Sequence, residues 1–175
     1  MDASAPRVAN RSRRTFLKRA AIGAAAVGVA PDVGAAGANE KIVVGLIGCG
    51  GRGVSDARDI LKVPNVELTY VCDPIATRLA KAARQFDIPS THIVSDMRTV
   101  LDDTSVDAVI VATPDHWHSP ASILACDADK HVYVEKPCSH NIREGRLLVE
   151  AARRKKRIVQ HGTQIRSTRM MIEAI

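Results

Sequence analysis

Three glycines spaced Gly48-x-Gly50-x-x-Gly53, with an acid further on at Asp73, carry the plainest chemical signal in this chain. They close an apolar run, Ile42-Val43-Val44-Gly45-Leu46-Ile47, rich in β-branched residues. Such a run reads as a strand buried on both faces of a parallel sheet. Helix-compatible sequence follows from Val54 to Leu61. In a strand–turn–helix of this kind Gly48 permits the tight turn, Gly50 lets the backbone approach a pyrophosphate, and Gly53 lets the helix pack close to the strand. Gly51 and Arg52 complete the turn at a helix N-terminus, whose free N–H groups and partial positive charge favour phosphate. Asp73 ends a second strand, Val66 to Cys72, twenty residues after Gly53. A carboxylate is expected there to hold the ribose hydroxyls of a dinucleotide's adenosine. Glycine-rich turns are common, but the buried strand, the helix and the spaced acid together predict a dinucleotide site.

Three further polar clusters fall at predicted strand ends: Thr113-Pro114-Asp115-His116-Trp117-His118, Glu135-Lys136 and His161-Gly162-Thr163-Gln164. Ligands of an open parallel sheet bind outside the carboxyl ends of its strands, so this shared placement suggests an enzyme rather than a scaffold. Lys136 is the sharpest candidate. Proline follows it, which restrains its backbone, and its ammonium can orient a substrate hydroxyl or lower that hydroxyl's pKa. The plainer alternative is a surface lysine. His116 and His118 are spaced to share a metal, but no third ligand is placed near them; they read as a cofactor-facing residue and a helix-start residue. No metal site is predicted. Trp117, the single tryptophan, either lies against a nicotinamide ring or covers the edge of the core.

The elements that position these residues alternate strand and helix from Asn39 onward, which predicts an α/β fold with a doubly wound parallel sheet. Ile75–Phe86 shows helical spacing and ends before Pro89. His92-Ile93-Val94 is a short strand, and Ser95 is placed to cap a helix running to about Leu101. Asp107–Ala112 is a fully buried strand, followed by a helix through about Ala128. His131–Val134 is the next strand, and a long amphipathic helix starts at Asn141 and ends in the basic run Arg153–Arg157. Such a run suits a solvated helix end and the helix dipole. Ile158-Val159-Gln160 is a last strand.

The 175 residues suffice for one well-buried domain. The net charge of +6 is unevenly spread. Residues 1–38 hold six basic side chains (Arg7, Arg11, Arg13, Arg14, Lys18, Arg19) against Asp2 and Asp32, leaving an ordinary balance for the rest. Aromatics are scarce, so no stacking platform for single-stranded nucleic acid is indicated. The cysteines Cys49, Cys72, Cys126 and Cys138 show no C-x-x-C spacing; Cys49 and Cys72 read as small packing residues. Ser12-Arg13-Arg14-Thr15-Phe16-Leu17-Lys18 resembles a twin-arginine export signal. An alanine-rich apolar run, Ala20 to Ala30, and the small residues Ala36-Gly37-Ala38 complete the layout of a signal peptide. Residues 1–38 are thus expected to be a signal, with cleavage after Ala38 and delivery to a periplasm. The alternative is a basic tail. A transmembrane anchor is not expected, because the apolar run is short and rich in Ala and Gly.

Gly48-x-Gly50-x-x-Gly53, Cys72-Asp73, Ala112-Thr113-Pro114-x-x-x-His118 and Glu135-Lys136-Pro137 together resemble the glucose–fructose oxidoreductase, inositol dehydrogenase and rhizopine-catabolism (Gfo/Idh/MocA) family. The match runs in order from Lys41 to about Gln164. The resemblance implies that the glycine turn and Asp73 bind the dinucleotide, and that Thr113, Pro114 and His118 line it nearer the nicotinamide. It implies that Glu135 and Lys136 stand beside the nicotinamide ribose and the reacting carbon, with Lys136 catalytic. The implied reaction is hydride transfer between NAD(P) and a sugar or cyclitol carbinol. Pro74 follows Asp73 with no basic residue directly after, which favours NAD over NADP. Family members carry a second domain with a substrate pocket, an oligomer interface and an acid–histidine pair, to which nothing in this sequence matches. The expected organisation is therefore a signal at 1–38, a dinucleotide-binding Rossmann domain at 39–165 and the start of a second domain at 166–175. The sequence resembles a truncated member, expected to bind NAD with little turnover by itself and to be a homo-oligomer when complete.

Three functions remain open: an exported NAD-dependent sugar or cyclitol oxidoreductase, an NAD-using glycosidase of the same fold, and a non-catalytic NAD-binding fragment. The intact Glu135-Lys136-Pro137 triplet favours the first. The expected partners are a small sugar-type substrate and the twin-arginine export machinery, with no nucleic acid.

Overall fold

A computed structural model describes residues 41–174. The predicted signal peptide lies outside the described residues. Strand β1 (Ile42–Ile47) leads to helix α1 (Gly51–Ile60), β2 (Val66–Cys72) and α2 (Ala76–Gln85). A short 3₁₀ turn at Ser90–His92 precedes β3 (Ile93–Val94), α3 (Met97–Asp102) and β4 (Ala108–Val111). A second 3₁₀ turn, Asp115–Trp117, runs into α4 (His118–Asp127). Then come β5 (His131–Glu135), α5 (Ile142–Lys155), β6 (Val159–Gly162), a 3₁₀ turn at Gln164–Ser167 and α6 (Arg169–Glu173). No helix among the described residues is long and apolar enough to cross a membrane.

All six strands are parallel, in the order β3-β2-β1-β4-β5-β6. This is the doubly wound Rossmann arrangement that the alternating pattern predicts, and chain direction across the sheet reverses between β1 and β4. Helices cover both faces. Val44, Leu46, Val71 and Ile110 pack with Ala57 of α1 and Ala82 and Ala83 of α2. On the other face Ile47, Val109, Val111, Val132 and Val134 pack with Val100 and Leu101 of α3, Ala121 and Ala125 of α4 and Ala151 of α5. The register slips between Val44 and Gly45, which pair with Leu68 and Tyr70. The extra residue, Thr69, sends Leu68 and Tyr70 to opposite faces.

Local differences from the expected elements have local causes. Helix α1 starts at Gly51, not Val54, because the glycine turn itself forms its first turn. The cap of α3 is Asp96 rather than Ser95, its Oδ1 accepting from Arg98 N at 2.9 Å. Strand β6 runs on through Gly162, paired with Glu135. At α5 the expected start holds: Asn141 Oδ1 accepts from Glu144 N, and the Glu144 carboxylate reaches back to Asn141 Nδ2.

Candidate functional site

Two glycines of the turn, Gly48 and Gly53, stand where only glycine fits. Gly48 has φ +98°, and a Cβ there would lie 2.5 Å from the Ala112 carbonyl oxygen. A Cβ on Gly53 would press into the Gly48 carbonyl oxygen and come within 3.1 Å of Ala112 Cβ, so this glycine lets α1 close on the β1–β4 seam. Around Gly50 nothing lies within 4 Å of where a Cβ would stand. Gly50 is also the N-cap of α1 and has no side chain to offer the helix, which leaves the first-turn N–H groups to a ligand.

Asp73 is 4 % exposed, and both its oxygens are engaged by the backbone. Oδ2 accepts from Cys49 N and Oδ1 from Ile75 N, each at 2.8 Å. The carboxylate therefore ties the end of β2 to the glycine turn, a task the spacing argument did not reveal. Each oxygen keeps a further lone pair that a hydroxyl can address. Burial, reinforced by the negative charge of Asp73, pushes the thiols of Cys49 and Cys72 up to about 12, so both are inert packing groups.

A cleft of about 610 Å³ opens over the carboxyl ends of β1 to β4. Gly48, Gly50, Asp73, Thr113, Pro114, His116 and Trp117 line it. It brings together the first glycines, the acid and the loop after β4, at the crevice where a parallel sheet of this order holds its ligand. Trp117 is 46 % exposed on the cleft wall. The Thr113 hydroxyl is buried without a partner, a polar group for a ligand to satisfy. Arg78 of α2 and Arg98 also reach the cleft. They escaped the sequence reading because two residues on separate helices form no linear pattern.

The remaining predicted residues stand elsewhere. Gly51, Arg52, Gly53, His118, Glu135 and Lys136 do not line that cleft. Arg52 is held by two carboxylates, Asp56 Oδ1 at 2.5 Å and Glu135 Oε1 at 3.1 Å, so its charge is already engaged. Glu135 is buried at the end of β5; burial raises its pKa, but hydrogen bonds from Gln164 and Lys136 N, with the Arg52 charge, outweigh that and hold it below the usual range. Lys136 is exposed at the same strand end, one strand beyond the cleft wall formed by Thr113 and Pro114. His118, expected to line the cofactor, is instead 3 % exposed behind that wall, with Nδ1 2.6 Å from Pro137 O and Nε2 2.8 Å from Thr113 O. Both its ring nitrogens face backbone carbonyls, one of which accepts the ring N–H. Among the described residues no three His, Cys, Asp or Glu side chains converge as metal ligands.

The fold and this cleft define a dinucleotide-binding Rossmann domain. The residues fit NAD: an uncapped helix start, an open space at Gly50, a carboxylate at the second strand end and an unpartnered hydroxyl on the far wall. The chain belongs to the Gfo/Idh/MocA oxidoreductase family, NAD-binding Rossmann fold, whose model matches residues 42–163. A glycosyl hydrolase family 109 protein of Saccharopolyspora erythraea is 34 % identical over 172 residues, covering 83 % of this chain and 38 % of that protein. Among solved structures, GenD2 from gentamicin A biosynthesis in complex with NAD aligns with TM-score 0.71 and 27 % identity, over 77 % of this chain and 38 % of that one. An aldose–aldose oxidoreductase from Caulobacter crescentus, complexed with glycerol, aligns with TM-score 0.69 and 25 % identity, over 77 % and 41 %. This chain thus spans about two fifths of the length of those proteins.

Proposed function

We propose that residues 39–165 are the dinucleotide-binding domain of an exported NAD-dependent oxidoreductase acting on a carbinol carbon of a sugar or cyclitol. The observation that carries this reading is Lys136, exposed at the end of β5, the strand beside β4 whose end walls the cleft, with its backbone N–H donating to Glu135 Oε2. In this proposal the α1 N-terminus and Gly50 receive the pyrophosphate, and Asp73 adds ribose hydroxyls to its backbone partners. Thr113, Pro114, His116 and Trp117 form the wall toward the nicotinamide, which supplies the hydride acceptor or donor when bound. Lys136 Nζ orients the substrate hydroxyl and handles its proton, and Glu135 fixes the Lys136 backbone through its N–H. Residues 166–175 begin the part of the protein that completes the substrate pocket and the oligomer. Residues 1–38 are the twin-arginine signal that carries the folded, cofactor-loaded protein to the periplasm.

A glycosidase that uses bound NAD for transient oxidation is the second reading, favoured by the relatives named as glycosyl hydrolase family 109 proteins. The lysine of Glu135-Lys136-Pro137 supports the dehydrogenase. Product analysis of the complete protein with sugars and aryl glycosides separates the two. Sugar-dependent NADH accumulation supports the first reading, and aglycone release without net NADH establishes the second. Lys136→Ala is expected to lower turnover at least ~100-fold, the usual scale for losing acid–base help. Unchanged turnover would remove Lys136 from the chemistry.

A further inference from the structure

His118 begins α4 behind the wall of the cleft, and it touches two loops that the sheet places side by side. Its Nε2 meets Thr113 O in the loop after β4, and its Nδ1 meets Pro137 O in the loop after β5. A carbonyl only accepts and a neutral imidazole carries one N–H, so in each tautomer the ring donates to one of these carbonyls and packs against the other. The next residue reinforces one side: Ser119 Oγ donates to Cys138 O at 2.9 Å. Ser122 Oγ donates back to His118 O at 2.6 Å, which holds the histidine's own backbone. A second, exposed contact also joins these loops, His140 Nδ1 standing 3.6 Å from Asp115 Oδ2, so His118 is the buried link of the two, and each loop carries one half of the proposed site. The first presents Thr113 and Trp117 to the cleft, and the second carries Lys136 immediately before Pro137.

We infer that His118 is a positioning residue that locks the cofactor-facing loop Thr113–Trp117 to the lysine-bearing loop Lys136–Cys138, fixing how far Lys136 stands from the bound nicotinamide. The inference rests on the NAD-binding and Lys136 roles proposed above. Its physical basis is that β4 and β5 stop pairing at Val111 and Val134, so beyond that point the loops are held together by side chains, His118 and Ser119 from beneath and the exposed His140–Asp115 contact at the surface. One buried ring in contact with both carbonyls holds the loops at a fixed spacing, and hydride transfer is sensitive to small errors in placement.

The two contacts can be removed separately. The amide nitrogen of asparagine reaches the place of Nδ1, and that of glutamine the place of Nε2. His118→Gln therefore keeps the Thr113 contact and loses the Pro137 contact, and His118→Asn does the reverse. Two readouts apply to the full chain: NAD affinity by quenching of Trp117 fluorescence, and backbone amide exchange of each loop without NAD. His118→Gln is expected to leave NAD affinity within about threefold and to speed exchange at Lys136 and Cys138 about tenfold, the scale of one hydrogen bond. His118→Asn is expected to weaken NAD about tenfold and to speed exchange at residues 113–117, with Lys136 and Cys138 still protected. A mere core-filling role would lower thermal stability and loosen both loops alike in both variants. That result, or an unchanged exchange pattern in His118→Ala, would overturn the inference. Should the parent chain fail to bind NAD, the functional reading falls, while the exchange pattern still decides whether His118 ties the loops.

Discussion

Replacing Gly50 by alanine should separate ligand binding from folding in a way that Gly48 and Gly53 do not allow. Gly50 has φ −70° and ψ 176°, an extended conformation open to any residue, and its missing Cβ would meet nothing within 4 Å. Alanine loses less chain entropy on folding, a gain of about 0.4–1 kcal/mol. It is a poorer N-cap than glycine by a few tenths of a kcal/mol or more. These effects oppose each other, so the stability of Gly50→Ala should stay within about 1 kcal/mol of the parent. The new methyl, however, stands in the space where a phosphate must approach the α1 N–H groups. Losing one hydrogen bond to a charged group costs about 1.5–3 kcal/mol, or roughly a 10- to 150-fold rise in Kd. Gly53→Ala is the contrast, because its methyl collides with the Gly48 carbonyl and crowds Ala112 and Leu46. It should destabilise by about 1–3 kcal/mol or more and lose NAD only as a consequence. Thermal melts and Trp117-quench titrations of both variants measure the two effects. Parental NAD affinity in Gly50→Ala would refute pyrophosphate binding at that position, and a large drop in its melting temperature would refute the open space.

Asp73→Ala should weaken NAD and also lower the melting temperature, since the amides of Cys49 and Ile75 lose their shared acceptor; Asp73→Asn, which keeps one oxygen, should fall between it and the parent. NADP binding as tight as NAD in the parent would count against the ribose role of Asp73. Burial, with the negative charge of Glu135, pushes the Asp56 carboxyl up to about 6 against the opposing pull of Arg52. Its native value lies above the ordinary 3.8, so the protonated form favours folding. That stability is fully present below about pH 4 and lost as pH rises through about 6. Asp56→Asn should accordingly raise the melting temperature more at pH 8 than at pH 4, and an equal effect at both would show that Asp56 does not titrate this way. Changing Arg13 and Arg14 to lysine should retain the protein in the cytoplasm with its signal uncleaved, as cell fractionation would show; processed protein in the periplasm would refute the export reading.

Much of this molecule is legible from local sequence. Strand β2 lies at Val66–Cys72 as its β-branched and aromatic run predicts, and α5 begins after Asn141 because capping needs only residues three positions apart. The glycine spacing and Asp73 likewise point to one cleft, which Gly48, Gly50 and Asp73 line, because that cleft is built within one strand–turn–helix and one following strand end. The long-range polar contacts are different in kind. That Asp73 holds Cys49, that Arg52 reaches Glu135 as well as Asp56, and that buried His118 joins Thr113 and Pro137 all depend on strands distant in sequence. A side chain's type and its position along a strand show which end of the sheet it reaches. Which neighbour it meets there is decided by the order β3-β2-β1-β4-β5-β6, because only packing brings the ends of β1, β4 and β5 side by side. A hydrogen bond is satisfied over about 3 Å, and no pattern along the chain carries that distance until the sheet has formed.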